Sequence, residues 1–498
     1  MKRSFVSCFV ICGVFFIAEF AVELTVEPNS TISQVVGVVS AQSPLDEEPE
    51  DPRPERKLLT ITIEFLNQNE KINAAIEEEE DFEKARELLD RSLERSRRWN
   101  ERELAFFHRR YANLGQILSD YDLMLEHMKK LLEYREFVKY FVEEEALWLV
   151  ATLYASQYED YETALDYIQQ WLDLKNDWEE GSKHYAYIGG IYTYMEDYVN
   201  TVDWIKRAIE RAGEEETDVP EPWWVQLLQA YTELFEENEN NPVERDKYLD
   251  LSLDLAKFLV YNYRDKVEYW RALSNIFVQQ MLVATDEASQ EDPSWAYTLE
   301  SAYHMGILSE EGEYKRVIAG MQSEEAYSRA ARVYEEGFDL EIIERNFENL
   351  NKYAQMLYAS TDMSKAATAY EEAVTYKDDA TVLHSLASLY QMTENFSKCI
   401  TYANRALNAT EGELRKPEEV KFLKGVCQFF NNDLDGSEET MEELQTEISS
   451  DTEDEGLERL RKSAGQYVDL IDSERERIKW KEYVEEQWRL YLEEKRQS

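Results

Sequence analysis

The chain has 498 residues, and its 104 Asp and Glu against 54 Lys and Arg give a formal net charge of −50. That charge argues against nucleic acids and anionic membrane surfaces as partners, because both are bound mainly through lysine and arginine. With 10 Pro and 16 Gly but 43% apolar residues, the chain has few turn residues and ample core material, which indicates an ordered, mostly helical protein.

The first residues read as an export signal. Two basic residues, Lys2 and Arg3, precede an apolar run from Phe5 to Ala18, which is typical of a signal peptide and shorter than the roughly 20 residues of a membrane-spanning helix. We therefore assign residues 1–41 to a signal peptide and leader. Three alternatives stay open for this segment. The signal peptide is cleaved just after the apolar run, the start codon is wrongly assigned, or the run is an uncleaved N-terminal anchor.

A linker is predicted next. Residues 42–57 hold four of the ten prolines and a run of charged residues, a composition that favours a mobile connection.

The cysteines allow two interpretations. Cys8 and Cys12 lie in the predicted signal peptide, which leaves Cys399 and Cys427 in the body of the chain. An oxidising compartment would allow a disulfide between them; the alternative is two small apolar residues buried at separate helix contacts. Because the chain has no Cys-x-x-Cys and only five scattered His, we predict no metal and no cofactor.

The body of the chain repeats with the period of about 34 residues that defines the tetratricopeptide repeat (TPR). The clearest copy begins at Ser182, and others begin at Phe347 and Ala380. In the first copy the large apolar positions are Tyr185, Ile188, Tyr192, Tyr198 and Ile205, and the small ones are Gly189 and Ala208. About ten copies span residues 58–449, two of them stretched by insertions around 236–246 and 284–294.

This pattern predicts an all-α fold. One helix pair cannot bury its own apolar face, so that successive pairs must stack. We expect a TPR-type α-solenoid, a right-handed superhelix of about ten helix hairpins with a concave groove lined by the first helix of each pair. Residues 450–498 are predicted to form C-terminal capping helices, with Trp480, Trp488 and Leu492 closing the last pair.

Catalytic motifs are missing from the sequence. It contains no P-loop, nucleophile elbow, zinc-binding H-E-x-x-H, dinucleotide-binding glycine motif or EF-hand spacing. The two glycines of GGIY, at 189 and 190, fall inside a predicted helix and indicate close packing, not a phosphate loop. We predict that the protein is not an enzyme.

The groove is the candidate binding site. The positions of each first helix that face inward give Arg109, Asn113, Trp148, Tyr194, Gln229, Arg271, Asn275, Asn351, Gln355, Tyr358, His384 and Gln391. Amide side chains can bond both the donors and the acceptors of an extended peptide, and aromatic rings offer rigid contact area. This set predicts a protein or peptide partner, although neutral surface is the alternative for each residue taken alone.

Two Arg-x-x-x-Asn pairs, at 109/113 and 271/275, match half of the carboxylate clamp of chaperone-binding TPR domains. The other half would be basic and amide residues in the adjacent repeat, which the sequence lacks.

Several segments together resemble a narrower group. In order, they include YETALDYIQQWL, YMEDYVNTVDWIKRAIERA, PEPWWVQLLQAY, KVEYWRALSNIF and KPEEVKFLKGVCQFF. Over roughly residues 60–475, the chain resembles the periplasmic TPR proteins encoded with TonB-ExbB-ExbD systems in Gram-negative bacteria. The resemblance implies a periplasmic location, an accessory scaffold role in energised outer-membrane uptake, and partners among TonB-, ExbB- or ExbD-type components.

The alternative function is a general adaptor for cell-envelope assembly or peptidoglycan-associated machinery. In either role we expect no small-molecule substrate and no membrane insertion after signal cleavage. The acidity would suit a basic, Pro/Lys-rich segment of a TonB-like protein; adaptation to a salty habitat is the other explanation.

Overall fold

The computed structural model describes residues 53–175, 181–450, 452 and 454–497. The predicted signal peptide and leader, residues 1–41, and the first eleven residues of the predicted linker, 42–52, lie outside the described residues. The chain divides between Leu259 and Val260 into two compact units.

The first unit is built from helices. They are α1 (Ile63–Asn73), α2 (Phe82–Glu94), α3 (Glu101–Leu118), α4 (Tyr121–Leu132), α5 (Tyr140–Gln157), α6 (Tyr161–Lys175), α7 (Ser182–Tyr194), α8 (Tyr198–Glu214), α9 (Glu221–Glu237) and α10 (Pro242–Asn262), the last of which crosses the division. Consecutive helices pair as α1/α2, α3/α4, α5/α6, α7/α8 and α9/α10.

The second unit continues the same pattern. Its helices are α11 (Val267–Val283), the short α12 (Glu287–Gln290), α13 (Ser294–His304), α14 (Glu311–Ser323), α15 (Tyr327–Asp339), α16 (Phe347–Ala359), α17 (Met363–Tyr376), α18 (Ala380–Met392), α19 (Phe396–Asn408), α20 (Pro417–Phe430), α21 (Leu434–Glu447) and α22 (Glu455–Gln497). The pairs are α11/α13, α14/α15, α16/α17, α18/α19 and α20/α21. The described residues therefore form ten helix pairs and no strand, which confirms the predicted TPR-type α-solenoid fold.

Small residues let the two helices of a pair approach closely. In the pair α7/α8, a Cβ built on Gly189 would lie 2.7 Å from Cδ1 of Ile205, and in the pair α20/α21 one on Gly425 would lie 2.7 Å from Cε of Met441. Both distances are too short for carbon atoms, so these positions accept only glycine without a shift of the helices. The large neighbours fill the space that the missing side chain leaves.

A recurring turn joins the two helices of most pairs. At Glu394 the backbone enters the left-handed region with φ of 59°, and the amide of Asn395 donates to the carbonyl of Tyr390 over 2.8 Å. The Asn395 side chain then accepts from the amide of Lys398 and caps the next helix. The same combination of a left-handed residue and an Asp cap occurs at Glu80–Asp81, Ser119–Asp120, Glu159–Asp160, Glu196–Asp197, Thr361–Asp362 and Asn432–Asp433. In five of these seven turns the capping residue's amide bonds the carbonyl five residues back, which is the Schellman ending; at Asp81 and Asp160 it bonds the carbonyl six residues back. The N-cap follows at once, so that the chain reverses in few residues.

Two neighbouring pairs of the second unit are joined covalently. Cys399 on α19 and Cys427 on α20 form a disulfide, with their Cα atoms 6.3 Å apart. Both residues are fully buried within one apolar cluster that runs from Leu299 to Cys427. They therefore meet at a single contact between helices rather than at two separate ones.

The C-terminal segment corrects part of the sequence prediction. The segment forms a single helix, α22, whose first half packs on the pair α20/α21 with Ala464 buried in the shared apolar cluster. Trp480, Trp488 and Leu492, which were expected to close the last pair, are instead 66%, 61% and 41% exposed. The cap is thus complete before these residues, because a 43-residue helix is far longer than the helices of about 14 residues on which it packs.

Candidate functional site

The predicted groove residues lie on the first helices of their pairs. In the first unit they are Arg109 and Asn113 on α3, Trp148 on α5, Tyr194 on α7 and Gln229 on α9. In the second unit they are Arg271 and Asn275 on α11, Asn351, Gln355 and Tyr358 on α16, and His384 and Gln391 on α18. All twelve side chains are at least partly exposed, whereas most of the large apolar residues of the same helices are buried. Their role in binding a partner remains a prediction.

Both arginines of the half-clamps already hold a carboxylate of the chain. Arg109 donates to Glu145 on the next first helix, α5. Arg271 donates from Nε and Nη2 to Glu313 over 3.0 and 2.6 Å, and lies 3.2 Å from Glu310. Because these guanidinium groups are neutralised within the fold, the terminal carboxylate of a partner would have to displace an existing ion pair.

An aromatic cluster surrounds Trp148. Its ring lies 4.6 Å from Trp171, 4.6 Å from His184 and 5.5 Å from Tyr187, measured between centroids. Trp171 is buried, but Trp148 and His184 reach the surface. Burial raises the pKa of the Tyr187 hydroxyl, so that it stays protonated in the physiological range. The cluster offers a partner rigid rings with polar edges.

Two further contacts connect α7 to its neighbours. Tyr194, half exposed, stacks on Tyr161 with 5.7 Å between ring centroids. Gln226 of α9 donates to the hydroxyl of Thr193 over 2.7 Å. The repeat offsets did not predict Gln226 and Glu145, which contact the preceding first helix. The available signal was a polar residue three positions before a predicted groove residue, Gln229 and Trp148 respectively.

The predicted residues of the second unit include two local interactions. Gln355 donates to Asn351 on the same helix over 3.3 Å. Burial lowers the pKa of His384, and the nearby Glu419 opposes that shift only in part. His384 is therefore neutral at neutral pH and can both donate and accept a hydrogen bond.

Acidic side chains gather where α9 ends. Burial raises the pKa of the Glu233 and Glu236 carboxyls. The negative charges of Glu236, Glu237 and Glu196 raise the pKa of Glu233 further. Like charges that are both close and partly desolvated gain from a nearby cation. This end of α9 is therefore a concentration of negative charge on the first unit.

Before α1, residues 53–62 run along the first unit without forming a helix or a strand, and we call them the N-terminal strap. Arg53 pairs with Glu144 at 2.5 Å, and Arg56 pairs with Glu143. Farther along, the carbonyls of Leu59 and Thr60 accept from Arg102 and Asn100 over 2.9 Å each. The end of the predicted linker, residues 53–57, is thus held against α5.

Neither a metal centre nor a membrane span is found in the described part of the chain. No group of three or more His, Cys, Asp or Glu in it is arranged to hold a metal ion. None of its helices combines the length and the apolar character that crossing a bilayer requires.

Comparison with known proteins returns structural similarity without sequence similarity. No family model and no curated protein sequence matches the chain. Among solved structures, a chain of the Cut9–Hcn1 hetero-tetramer of the APC/C is 11% identical with a TM-score of 0.30. The match covers 80% of this chain and 96% of that chain. The TPR2AB domain of yeast Sti1 in its Hsp90 complex is 14% identical with a TM-score of 0.21, covering 72% and 98%. Yeast Tom70 is 13% identical with a TM-score of 0.21, covering 83% and 96%.

Proposed function

We propose that this protein is a non-catalytic scaffold that binds other proteins through the first helices of its repeats. The observation that carries this proposal is the division of each first helix into two faces. Apolar residues are buried between helices, whereas aromatic and amide side chains such as Trp148, Tyr194 and Gln229 recur on the partly exposed face. A recurring row of this kind can follow an extended peptide over several repeats.

We further propose that the scaffold acts in the periplasm as an accessory component of a TonB-dependent, energy-transducing uptake system. The support is the export-type N-terminus, the sequence resemblance over residues 60–475 and the acidic surface of the first unit. TonB-like proteins carry Pro/Lys-rich periplasmic segments, and an acidic surface would speed their encounter through long-range attraction.

A crosslinking pull-down from the periplasmic fraction tests the proposal. We expect TonB-, ExbB- or ExbD-type components to be recovered with the wild-type chain and to be lost with the double variant Tyr194→Ala and Gln229→Ala. The matched control is Tyr376→Ala, which removes an equally exposed tyrosine of a second helix, α17. Recovery of the same proteins with all three chains would contradict binding through the first helices.

The alternative adaptor role predicts a different set of captured proteins. Recovery of outer-membrane assembly or peptidoglycan-associated proteins alone would favour it. A second discriminating observation is genetic: adjacency of the gene to those for TonB, ExbB and ExbD favours the uptake role. Complex formation that does not change between low and high NaCl would count against attraction by the acidic surface.

A further inference from the structure

The N-terminal strap occupies a site that is built like a receptor for a basic peptide. The Cζ atoms of Arg53 and Arg56 lie 4.1 and 3.9 Å from the centre of the same ring, that of Tyr140. Each guanidinium also reaches one of two adjacent carboxylates, Glu144 for Arg53 and Glu143 for Arg56. One aromatic ring and two carboxylates thus receive two cations in a single arrangement.

Backbone carbonyls complete the site. Arg53 donates from Nη1 to the carbonyl of Leu174 over 3.0 Å, at the end of α6. Arg56 donates from Nη1 to the carbonyls of Arg135 and Val138 over 2.6 and 3.1 Å, in the connection before α5. These acceptors belong to the repeats, not to the strap, and they remain in place whatever segment lies against them.

The two carboxylates are enclosed while the strap is in place. The side chains of Glu143 and Glu144 are then only 5% and 11% exposed. Without the strap, Glu143 would keep Arg135 at 3.9 Å and Glu144 would keep Lys175 at 2.7 Å. Departure of the strap would remove one close cation from each carboxylate and leave two adjacent carboxylates beside the ring of Tyr140. This arrangement would attract other basic side chains.

The part of the strap that carries both arginines can leave without unfolding a helix. Residues 53–57 belong to no helix of the described chain, whereas Thr62, at the other end of the strap, caps α1 by accepting from the amide of Phe65. The sequence of the arginine-carrying part is Arg-Pro-Glu-Arg from 53 to 56, and a spacing of three places both arginines on one side of an extended, proline-containing segment. Eleven residues before it, 42–52, carry five acidic residues and three prolines but no basic one.

We propose that Tyr140, Glu143 and Glu144 form a docking site for an extended basic segment of a partner protein, with two Arg or Lys side chains three residues apart, and that the N-terminal strap covers this site until the partner displaces it. This deepens the proposed function, because it names the chemistry of the segment and the surface that receives it. A tethered strap competes at an effective concentration in the millimolar range, so that the site is closed to weak, non-specific basic peptides.

A peptide-binding experiment with the purified full chain tests the proposal. The probe is a fluorescein-labelled peptide with the sequence of residues 49–57, PEDPRPERK, followed by fluorescence anisotropy. The variant Arg53→Ser and Arg56→Ser removes the strap's side chains and is expected to bind the probe at least tenfold more tightly than the wild-type chain. Adding Glu143→Gln and Glu144→Gln to that variant is expected to abolish binding. A control peptide with both arginines replaced by serine is expected not to bind.

Two outcomes would overturn the proposal: no binding by a strap variant whose circular dichroism matches the wild type, or equal affinity of variant and wild type. If the strap variant does not fold, a protease site inserted between Lys57 and Leu58 allows the part of the strap that carries both arginines to be cut off in the folded chain. The labelled probe must then exchange into the site after dilution, and failure to exchange would show that the strap is a fixed part of the fold. Because the probe comes from this chain, the result is independent of whether TonB-type proteins are the partners.

Discussion

At the residue scale, two adjacent glycines of α7 show how position decides the role of one residue type. A Cβ on Gly189 would collide with Ile205, whereas a Cβ on Gly190 would meet nothing closer than Nε2 of Gln226 at 3.8 Å. Both residues are helical, so that intrinsic helix propensity is the same for the two.

We expect Gly189→Ala and Gly190→Ala to shift stability in opposite directions. The first should lower the free energy of unfolding by about 1–2 kcal/mol, because overpacking outweighs the gain in helix propensity. The second should raise it by up to about 1 kcal/mol through propensity alone. Urea denaturation followed by circular dichroism measures both, and two changes of equal sign would contradict the close approach of α7 and α8.

A second residue-scale feature is a buried histidine pair. His108 on α3 and His127 on α4 approach to 2.8 Å between their Nδ1 atoms, and His127 stacks on Tyr111. Burial lowers the pKa of each to about 4, and for His108 the charge of its partner adds to the effect. Neutral imidazoles can share one hydrogen bond between these atoms, whereas two protonated rings cannot.

This pair should make the first unit acid-sensitive. In the unfolded chain a histidine titrates near 6.5, so that between about pH 6.5 and 4 the unfolded state binds more protons than the folded state. The contribution of the pair is fully present above that window and is lost as the pH falls through it. We expect urea midpoints to fall from pH 7 to pH 5 more steeply for the wild type than for His108→Asn/His127→Asn. The control His304→Asn removes an exposed histidine and should keep the wild-type slope.

At the scale of elements, the turns within pairs carry a conformational cost. Glu394 occupies the left-handed region at φ of 59°, which costs a residue with a Cβ about 1–2 kcal/mol. Glu394→Gly should therefore raise the free energy of unfolding by about 0.5–1 kcal/mol. Glu442→Gly, at an exposed position inside α21, should lower it by about 1 kcal/mol. If both variants were destabilised alike, the left-handed conformation at Glu394 would be in doubt.

The terminal helix α22 has a structural half and an exposed half. Ile471 is fully buried, whereas Trp480 and Trp488 are mostly exposed. We expect Ile471→Ala to cost about 3 kcal/mol of unfolding free energy and Trp480→Ala/Trp488→Ala to stay within about 0.5 kcal/mol of wild type. Thermal unfolding compares the two, and a large loss with the tryptophan variant would mean that these rings are covered in solution.

At the scale of the whole molecule, charge is the dominant feature. A net charge of −50 opposes compaction by self-repulsion, which added salt screens over a Debye length that falls from about 30 Å at 0.01 M to about 3 Å at 1 M. We expect the Tm to rise by several degrees between about 0.01 and 0.3 M NaCl at pH 7. Near pH 4.5, the isoelectric point of the sequence, the rise should vanish; a rise of equal size there would point to a general salting-out effect.

The order of the ten pairs was predictable because a TPR pair is specified locally. Gly189, Ile205 and Ala208 lie within one repeat, and a period that recurs about ten times identifies the helices and turns of the whole array. The predicted groove residues reach the surface for the same reason, since one offset fixes which face of a first helix is buried.

Only the tertiary structure determined the contacts between distant parts of the chain. The pairing of Arg109 with Glu145, the meeting of Cys399 with Cys427 and the docking of Arg53 and Arg56 on α5 join residues 28 to 91 positions apart. Periodicity gives the inner face of each helix but not which charged side chain crosses to a neighbour. The exposure of the end of α22 was not predicted either. An apolar pattern shows which face of a helix could be buried, but only the position of the neighbouring helices determines whether that face is buried.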